Sequence, residues 1–282
     1  YWVKFERGTH QFDVFAGSKY EQDNRGLIGR TIQKYRIDRF LGEGPVASVY
    51  KATDIELNRD VALRILNPNF AAEEAMRQRF LREARSLSRL DHPNIVHVLS
   101  FDNYDGEIFM VQELIVGGNL RTHLDRLTNT NHQMEYMDAV LMAIQMADGL
   151  HYAHQQGMIH RSIRPENVVL KPIDAIGPLA NYQPILTDFG MAGLAESGEI
   201  FMTEQPDVAF PYMSPEEVQS RRIDTRSDIY ELGVVLYEMT VGKPPFTPRS
   251  IAEAVRMHAH EKHRSPAELR LGFPEELETI LN

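Results

Sequence analysis

Hydrophobic alternation over residues 35–66 is the sequence feature that most limits the fold of this chain. Apolar and polar residues alternate there in three short runs, which are separated by a glycine-rich turn at Gly42–Gly44 and by a polar turn. A period of two residues is typical of strands that bury one face. This stretch therefore predicts three consecutive strands.

The hydrophobic period changes after these strands. Residues 71–90 place apolar side chains at helical spacing, and two further strands fit residues 95–114, with Asp105-Gly106 as their hairpin turn. Gly117-Gly118 then interrupts the pattern. Beyond it, the segments 119–127, 137–157 and 226–242 have a helical period.

This order of elements predicts an α+β fold with two lobes. A small β-rich N-lobe is expected over residues 30–116, and a larger α-helical C-lobe, incomplete at its C-terminal end, over residues 117–282. We expect a ligand cleft at residues 113–118, where the lobes meet. Residues 1–29 are aromatic-rich without a clean period, and are either an extension that packs on the domain or a linker.

Composition excludes several classes of function. The formal net charge of −10 and the lack of a long basic run argue against nucleic acid and anionic membranes as partners. The chain has no cysteine, which removes disulfides, thiolate catalysis and cysteine zinc sites, and which suits a reducing compartment. No stretch reaches the roughly 18 uncharged apolar residues that a membrane span needs. Protein partners, of unknown identity, remain the expectation.

A series of short motifs follows the glycine-rich turn in a fixed order. They are VALR (61–64), REA (82–84), HPNIV (92–96), HRSIRPEN (160–167), DFG (188–190), YMSPEE (212–217) and SDIYELG (227–233). In this order and spacing, the chain resembles the eukaryotic-type serine/threonine protein kinases, in the form that bacteria also carry. The resemblance implies a bilobal kinase fold. It also implies a cytoplasmic location, which includes the cytosolic domain of a longer, membrane-attached protein.

The resemblance also assigns a nucleotide site. Its positions around the phosphates, the adenine ring, the hinge and the back of the pocket fall on Gly42, Gly44, Ala47, Val49, Ala62, Gln112, Glu113, Ile115 and Val169. Ala47 replaces the third glycine of the loop, and Pro45 has no N–H group, so fewer amides can face a phosphate. ATP and Mg²⁺ are therefore the implied ligands, with weak or absent binding.

The implied catalytic positions are altered. Arg64 takes the place of the lysine that holds the ATP phosphates; it should still pair with Glu83, but its planar guanidinium is not equivalent to an ammonium group. Ser162 takes the place of the catalytic aspartate, and a hydroxyl cannot accept a proton near neutral pH as a carboxylate does. Arg164 replaces a lysine that contacts the γ-phosphate, and Ala209 replaces a threonine that bonds the catalytic pair.

The implied metal positions are retained, because Asn167 and Asp188 match the two magnesium ligands of the family. The altered residues favour a catalytically impaired pseudokinase that acts as a regulatory or scaffolding module. The retained residues support an alternative, a slow but active serine/threonine kinase. A third hypothesis, a structural domain that binds no nucleotide, is supported by Pro45 and Ala47.

Several further residues have structural roles under the same resemblance. Leu87, Val98, His160 and Phe189 match a buried column that joins the lobes, and Asp228 matches the residue that anchors the catalytic loop. Glu216 is expected to pair with an arginine beyond residue 282.

Three other groups of residues carry weaker signals. The closely spaced His258, His260 and His263 do not share one helix face, which favours a solvated surface over a metal site. Met134, Met137, Met142 and Met146 favour core packing. Ser197 and Thr203 are candidate phosphorylation sites, with an unmodified loop as the default.

Overall fold

The computed structural model describes residues 23–44, 46–173, 182–190 and 209–282, and it has the expected α+β fold. Within these residues, the N-lobe sheet has six strands in the order β1-β2-β3-β4-β6-β5, with antiparallel neighbours throughout. They are β1 (Thr31–Ile32), β2 (Tyr35–Glu43), β3 (Ala47–Asp54), β4 (Arg59–Leu66), β5 (Val98–Tyr104) and β6 (Glu107–Glu113). The five predicted strands are confirmed, and the two-residue β1 is an addition.

The hairpin between β5 and β6 forms at the predicted turn. Asp105 and Gly106 both have positive φ angles, of 52° and 81°. Two such residues in a row define the tight turn that matches the twist of antiparallel strands.

Alternation along β3 and β4 gives the sheet a core face and a cleft face. Tyr50 and Leu63 are completely buried in the N-lobe core, whereas Val49 and Ala62, one position away, are only half-buried. Successive side chains of a strand point to opposite faces. Because Val49 lies opposite Arg64 in the register, Val49, Ala62 and Arg64 share the cleft face.

Residues 23–29, which precede the predicted N-lobe boundary at residue 30, pack on this lobe. Leu27 is 2% exposed and belongs to the N-lobe core. Arg25 forms an ion pair of 2.6 Å with Glu107, and Tyr50 donates a hydrogen bond of 2.9 Å to Asp23. Residues 23–29 therefore pack on the lobe, while residues 1–22 lie outside the described residues.

Two helices complete the N-lobe: α1 (Pro68–Ala71) and α2 (Glu74–Leu87), which packs against β5. Along α2, the buried residues are Met76, Phe80, Ala84 and Leu87. Their spacing places them on one side of the helix, which explains why an otherwise charged segment is helical.

The described C-lobe consists of helices and one pair of strands. Its elements are α3 (Leu120–Asn129), α4 (Tyr136–Gln155), β7 (Val168–Pro172), β8 (Tyr182–Leu186), α5 (Pro215–Val218), α6 (Thr225–Val241), α7 (Ile251–His260), α8 (Pro266–Leu269) and α9 (Glu275–Leu281). Helices α4 and α6 pack against each other at the centre. None of the helices among the described residues combines the length and the apolar character needed to cross a membrane.

The methionines near the start of α4 are mostly core residues, as predicted. Met134, Met142 and Met146 are buried, but Met137 is 64% exposed. The prediction is wrong for Met137 because this residue precedes Met142 by five positions, which turns it to the other side of the helix.

The buried column across the lobes is confirmed. Leu87, Val98 and Phe189 belong to one buried cluster, and His160 is completely buried beside them. The rings of His160 and Phe189 lie 4.3 Å apart. The N-lobe helix, the sheet and the catalytic loop are therefore in continuous apolar contact.

Gly117 lies where the chain leaves the N-lobe, and it has no room for a side chain. Its φ is 158°, and an added Cβ would lie 1.8 Å from the carbonyl oxygen of Leu170 in β7. We expect Gly117→Ala to lower the free energy of unfolding by about 2–4 kcal/mol, from overpacking and backbone strain together. Denaturant unfolding measures this loss. Gly157→Ala is the control, since Gly157 has a φ of 75° but open space around it, and should cost less.

Candidate active site

One buried carboxylate fixes the catalytic loop, residues 160–167. Asp228 of α6 is 0% exposed and accepts hydrogen bonds from the backbone amides of His160 (2.9 Å) and Arg161 (2.8 Å). The ring of His154 in α4 lies 2.6 Å from the same carboxylate. The prediction that Asp228 anchors this loop is confirmed. The loop therefore keeps its shape through contacts with the centre of the C-lobe.

Asn167 connects the two ends of the loop. Its side-chain amide donates to the backbone oxygen of Ser162 at 2.8 Å and to the Ser162 hydroxyl at 3.0 Å. The backbone carbonyl of Asn167 accepts a hydrogen bond of 2.9 Å from the amide of Thr187, the residue directly before Asp188. Because the NH₂ group of Asn167 is directed at Ser162, its Oδ1 atom is the one suited to a cation.

Asp188 forms an ion pair with Arg64 of β4, which lies on the opposite lobe. The backbone of Asp188 has a φ of 67°, an uncommon angle for a residue other than glycine. Arg64 is 9% exposed, and its buried Nε has no hydrogen-bond partner among the described residues. A guanidinium therefore occupies one face of the carboxylate that would otherwise be directed at a metal.

The predicted ion pair between Arg64 and Glu83 stays a prediction, because the pair that the structure gives Arg64 is with Asp188. Glu83 does lie at the same site. A Cβ added to Gly190 would come within 2.6 Å of the Glu83 carboxylate. The glycine that follows Phe189 therefore leaves room for the acidic side chain of α2.

The three apolar residues predicted to surround an adenine ring lie at intermediate burial. Val49, Ala62 and Val169 are half-buried, and Gln112 lies opposite Ala62 in the sheet. Gln112 is 4% exposed, and its Nε2 is a buried donor without a partner in the described part of the chain. Such a donor suits a ligand that brings its own acceptor.

The two hinge positions differ in their contacts. The Glu113 carboxylate accepts from the amide of His97 at 3.0 Å, and the Glu113 amide donates to the His97 carbonyl, also at 3.0 Å. Glu113 therefore fixes the strand end. Ile115 is half-buried at the edge of the cleft.

The glycine loop is closed by a contact that the sequence did not reveal. The Gly44 amide donates to the Ala47 carbonyl at 2.9 Å, so it is not directed at the cleft. The side chain of Asn67 donates to the Gly44 carbonyl at 3.0 Å and accepts from the Ser48 hydroxyl at 2.9 Å. Gly42 lies opposite Val49 across a register shift. Pro45 lies outside the described residues.

A cavity of about 650 Å³ lies beside the catalytic loop, and sequence reasoning missed it. Glu166 lines it with a buried Oε2 that has no partner within the described chain, and burial raises the pKa of this residue. Glu238, which also lines the cavity, accepts from Arg121 at 2.6 Å and from Tyr212 at 2.5 Å. Arg164, next to the loop turn, has a buried Nε without a described partner. Glu166, the neighbour of Asn167 in the chain, is the residue of the catalytic loop that lines this cavity.

The histidine prediction is wrong for His258. This residue is 6% exposed; its Nε2 lies 2.8 Å from the Phe210 carbonyl, and its Nδ1 lies 2.8 Å from the Tyr230 hydroxyl. A carbonyl can only accept, so Nε2 carries the hydrogen and Nδ1 accepts from Tyr230. Burial lowers the pKa of His258.

The other weak signals are partly resolved. His260 is exposed and His263 is half-buried, and no cluster of three metal-binding side chains occurs among the described residues. Glu216 accepts a hydrogen bond from Ser227, and its expected arginine stays a prediction. Ser197 and Thr203 lie outside the described residues.

Comparison with known proteins places this geometry in a family. The sequence profile described as "Protein kinase domain" matches residues 35–279. The serine/threonine-protein kinase PrkC of Bacillus subtilis is 33% identical over 256 residues, which cover 90% of this chain and 38% of PrkC. The serine/threonine-protein kinase PknB of Mycobacterium leprae is 31% identical over 255 residues, which cover 88% of this chain and 39% of PknB.

A solved kinase structure has a similar fold. The crystal structure of the PknI kinase domain of Mycobacterium tuberculosis matches with a TM-score of 0.63 and 26% identity, covering 86% of this chain and 83% of the other. A bilobal domain with a catalytic loop, a DFG segment and a hinge is a kinase-type domain. This chain belongs to the protein kinase family. It spans less than half the length of the curated relatives named here.

The residues present fit a magnesium ion. Asp188 offers a carboxylate and Asn167 an amide oxygen, which are the hard ligands that Mg²⁺ prefers. Mg²⁺ sites in such enzymes use one or two protein ligands together with phosphate oxygens. The lack of a larger acidic cluster in the described residues is therefore compatible with this ion.

Proposed function

We propose that this domain binds Mg²⁺-ATP in the cleft and transfers the γ-phosphoryl group slowly to serine or threonine hydroxyls of proteins. The observation that carries the proposal is the contact between the two candidate metal ligands: the Thr187 amide, directly before Asp188, donates to the backbone carbonyl of Asn167, and the Asn167 side chain donates to Ser162. The named relatives are serine/threonine kinases, so the comparisons favour this alternative over the pseudokinase reading of the sequence.

In this proposal, separate groups of residues would bind the adenine ring and the metal ion. Val49, Ala62 and Val169 would enclose the adenine ring, with Gln112 as a polar contact at the back. Asp188 and Asn167 would hold Mg²⁺, which when bound neutralises charge on the phosphate oxygens. Positioning of this kind supplies most of the rate in phosphoryl transfer, since the protein does little covalent chemistry.

The same geometry accounts for a low rate. Ser162 can accept a hydrogen bond from a substrate hydroxyl but cannot take up its proton as a carboxylate can. Arg64 bonds to Asp188, so a cation must displace or share this contact. The Gly44 amide is already used by Ala47, which removes one phosphate donor.

A regulatory pseudokinase is the second candidate function. The observation that favours it is the pairing of Arg64 with Asp188, which can stabilise a closed cleft without nucleotide. In that case the domain would bind protein partners and transfer no phosphate. A cytoplasmic location, within a longer protein, would suit either function.

The first experiment is a thermal shift titration with Mg²⁺-ATP. At 100 times the dissociation constant, binding should add about 2.7 kcal/mol to the free energy of unfolding. We expect wild type to show a saturable shift that needs Mg²⁺ and that is lost in Asp188→Asn. The matched control is Asp148→Asn, an exposed aspartate on α4 that should leave the shift unchanged.

A radiolabelled ATP assay then separates the two functions. Incorporation into the protein or a generic protein substrate, abolished by Asp188→Ala, supports the slow kinase. A normal Mg²⁺-ATP shift without any incorporation contradicts the slow kinase and supports the pseudokinase. Absence of any shift at millimolar nucleotide contradicts the slow kinase and any nucleotide-dependent regulation, and it supports a domain that binds no nucleotide.

A further inference from the structure

Two acidic side chains meet beneath the catalytic loop. Glu217 lies on α5, and Glu231 lies on α6, where it is only 2% exposed. Their carboxyl groups lie close enough for each to perturb the pKa of the other. Two carboxylates in contact cannot both be ionised without strong repulsion, so such a pair keeps one proton between them.

The remaining oxygens of the pair hold two different segments. The Glu217 Oε2 atom accepts from the amide of Ser214 at 2.7 Å and from the Ser214 hydroxyl at 2.8 Å. The Glu231 Oε2 atom accepts from the amide of Ile163 at 2.6 Å. Ile163 is completely buried and directly follows Ser162 in the catalytic loop.

The hydrogen bonds around the pair favour Glu231 as the residue that carries the proton. Glu217 already receives two donors at one oxygen, which favours its ionised form. Burial raises the pKa of both residues, and for Glu231 the neighbouring charges of Glu217 and Asp228 raise it well above its ordinary value. A protonated Glu231 can donate to Glu217 and still accept from Ile163.

The surrounding titratable groups come from four elements. On α6, Asp228 accepts from two loop amides and contacts His154 of α4. On α5, Glu216 accepts from Ser227. On the catalytic loop, burial lowers the pKa of His160, and Arg161 contributes a positive charge that interacts with another group. Acidic groups therefore dominate the immediate surroundings of the pair.

We propose that Glu217 and Glu231 share one proton, and that this proton positions the catalytic loop by holding Glu231 against the Ile163 amide. The shared proton would couple α5 to Ile163, the residue next to Ser162. Glu231 is thus a positioning residue. The proposal stands independently of whether the domain transfers phosphate, because it concerns the geometry of the loop.

The proposal has a definite pH dependence. A carboxyl group whose pKa is raised in the folded state binds more protons there than in the unfolded chain, so stability falls as pH rises. The loss begins near the unfolded glutamate pKa of about 4.3 and continues until the folded pKa is passed. Above it, both carboxylates are charged, and the Ile163 anchor should loosen.

The test compares wild type with E231Q and E217Q in the whole chain. An amide at position 231 donates to Glu217 and accepts from Ile163 at every pH, and an amide at position 217 donates to Glu231. Denaturation midpoints and amide hydrogen exchange at Ile163 are measured from pH 5 to pH 9. In wild type, we expect the exchange rate, corrected for its intrinsic pH dependence, to rise about tenfold across this range.

Both glutamine variants should lose this rise in exchange rate. Their denaturation midpoints should also depend less on pH than the midpoint of wild type. Glu238→Gln is the matched control, because Glu238 is also buried on α6 but is neutralised by Arg121. It should lower the midpoint and keep the wild-type pH slope. Equal slopes in wild type and in whichever glutamine variants fold would overturn the proposal, as would a wild-type Ile163 amide whose corrected exchange does not change with pH.

Discussion

Replacing Ser162 with aspartate, in a chain that also carries Arg64→Lys, should raise the rate of phosphoryl transfer by about 10²–10⁴-fold. This is the range that a positioned general base contributes. The position already receives a hydrogen bond from Asn167, since Ser162 Oγ lies 3.0 Å from its amide nitrogen. A carboxylate there would keep this contact and could also accept the proton of a substrate hydroxyl.

The lysine substitution is needed because Arg64 holds Asp188. A guanidinium is planar and bonds a carboxylate through several N–H groups, whereas an ammonium is a compact charge on a flexible stem. Arg64→Lys should therefore free Asp188 to act as a magnesium ligand. On its own, it should tighten Mg²⁺-ATP binding more than it raises the turnover rate.

The control for the base is Ser162→Asn in the same Arg64→Lys chain. Asparagine has nearly the size of aspartate and can meet Asn167, but it cannot accept a proton near neutral pH. Single-turnover rates at saturating Mg²⁺-ATP compare the two. If aspartate and asparagine variants transfer at the same rate, proton abstraction at position 162 is not the missing function.

Most of the fold could be predicted from the sequence because its signals are local. Alternation over residues 35–66 depends only on which faces of the strands are buried, and the Asp105-Gly106 turn depends on two adjacent φ angles. Asp228 was placed correctly because its motif spacing fixes it on α6, directly below the loop. The packing of residues 23–29 was less clear from the sequence, since only Leu27 is buried there and the polar contacts of Asp23 and Arg25 are with residues distant in the chain.

The site was predicted less completely because its contacts are between residues distant in sequence. The pairing of Arg64 with Asp188 joins two lobes, and no local pattern distinguishes it from a pairing with Glu83. The hydrogen bond from Asn67 to the glycine loop depends on where β4 ends. His258 looked like a surface residue because its burial comes from Phe210 and Tyr230, which are remote in the chain.

Asp228→Ala should be the most destabilising single substitution in the C-lobe, with an expected loss of about 3–5 kcal/mol in the free energy of unfolding. The carboxylate is completely buried and serves His154 and two loop amides. Alanine would leave these donors without an acceptor, and each unsatisfied buried group costs about 1–3 kcal/mol. Urea unfolding at constant m-value measures the loss.

Asp148→Ala is a close control, because Asp148 also contacts a histidine, His92, at 3.2 Å, but is 70% exposed. An exposed pair of this kind contributes about 0–1 kcal/mol. The difference in lost unfolding free energy between the two variants separates the effect of burial from the effect of charge pairing. If they lose similar stability, the catalytic loop is held by its apolar contacts, with His160 packed on Phe189, and Asp228 only orients it. A large difference means that the backbone of the loop depends on this one acceptor, so that binding and transfer should fail together when it is removed.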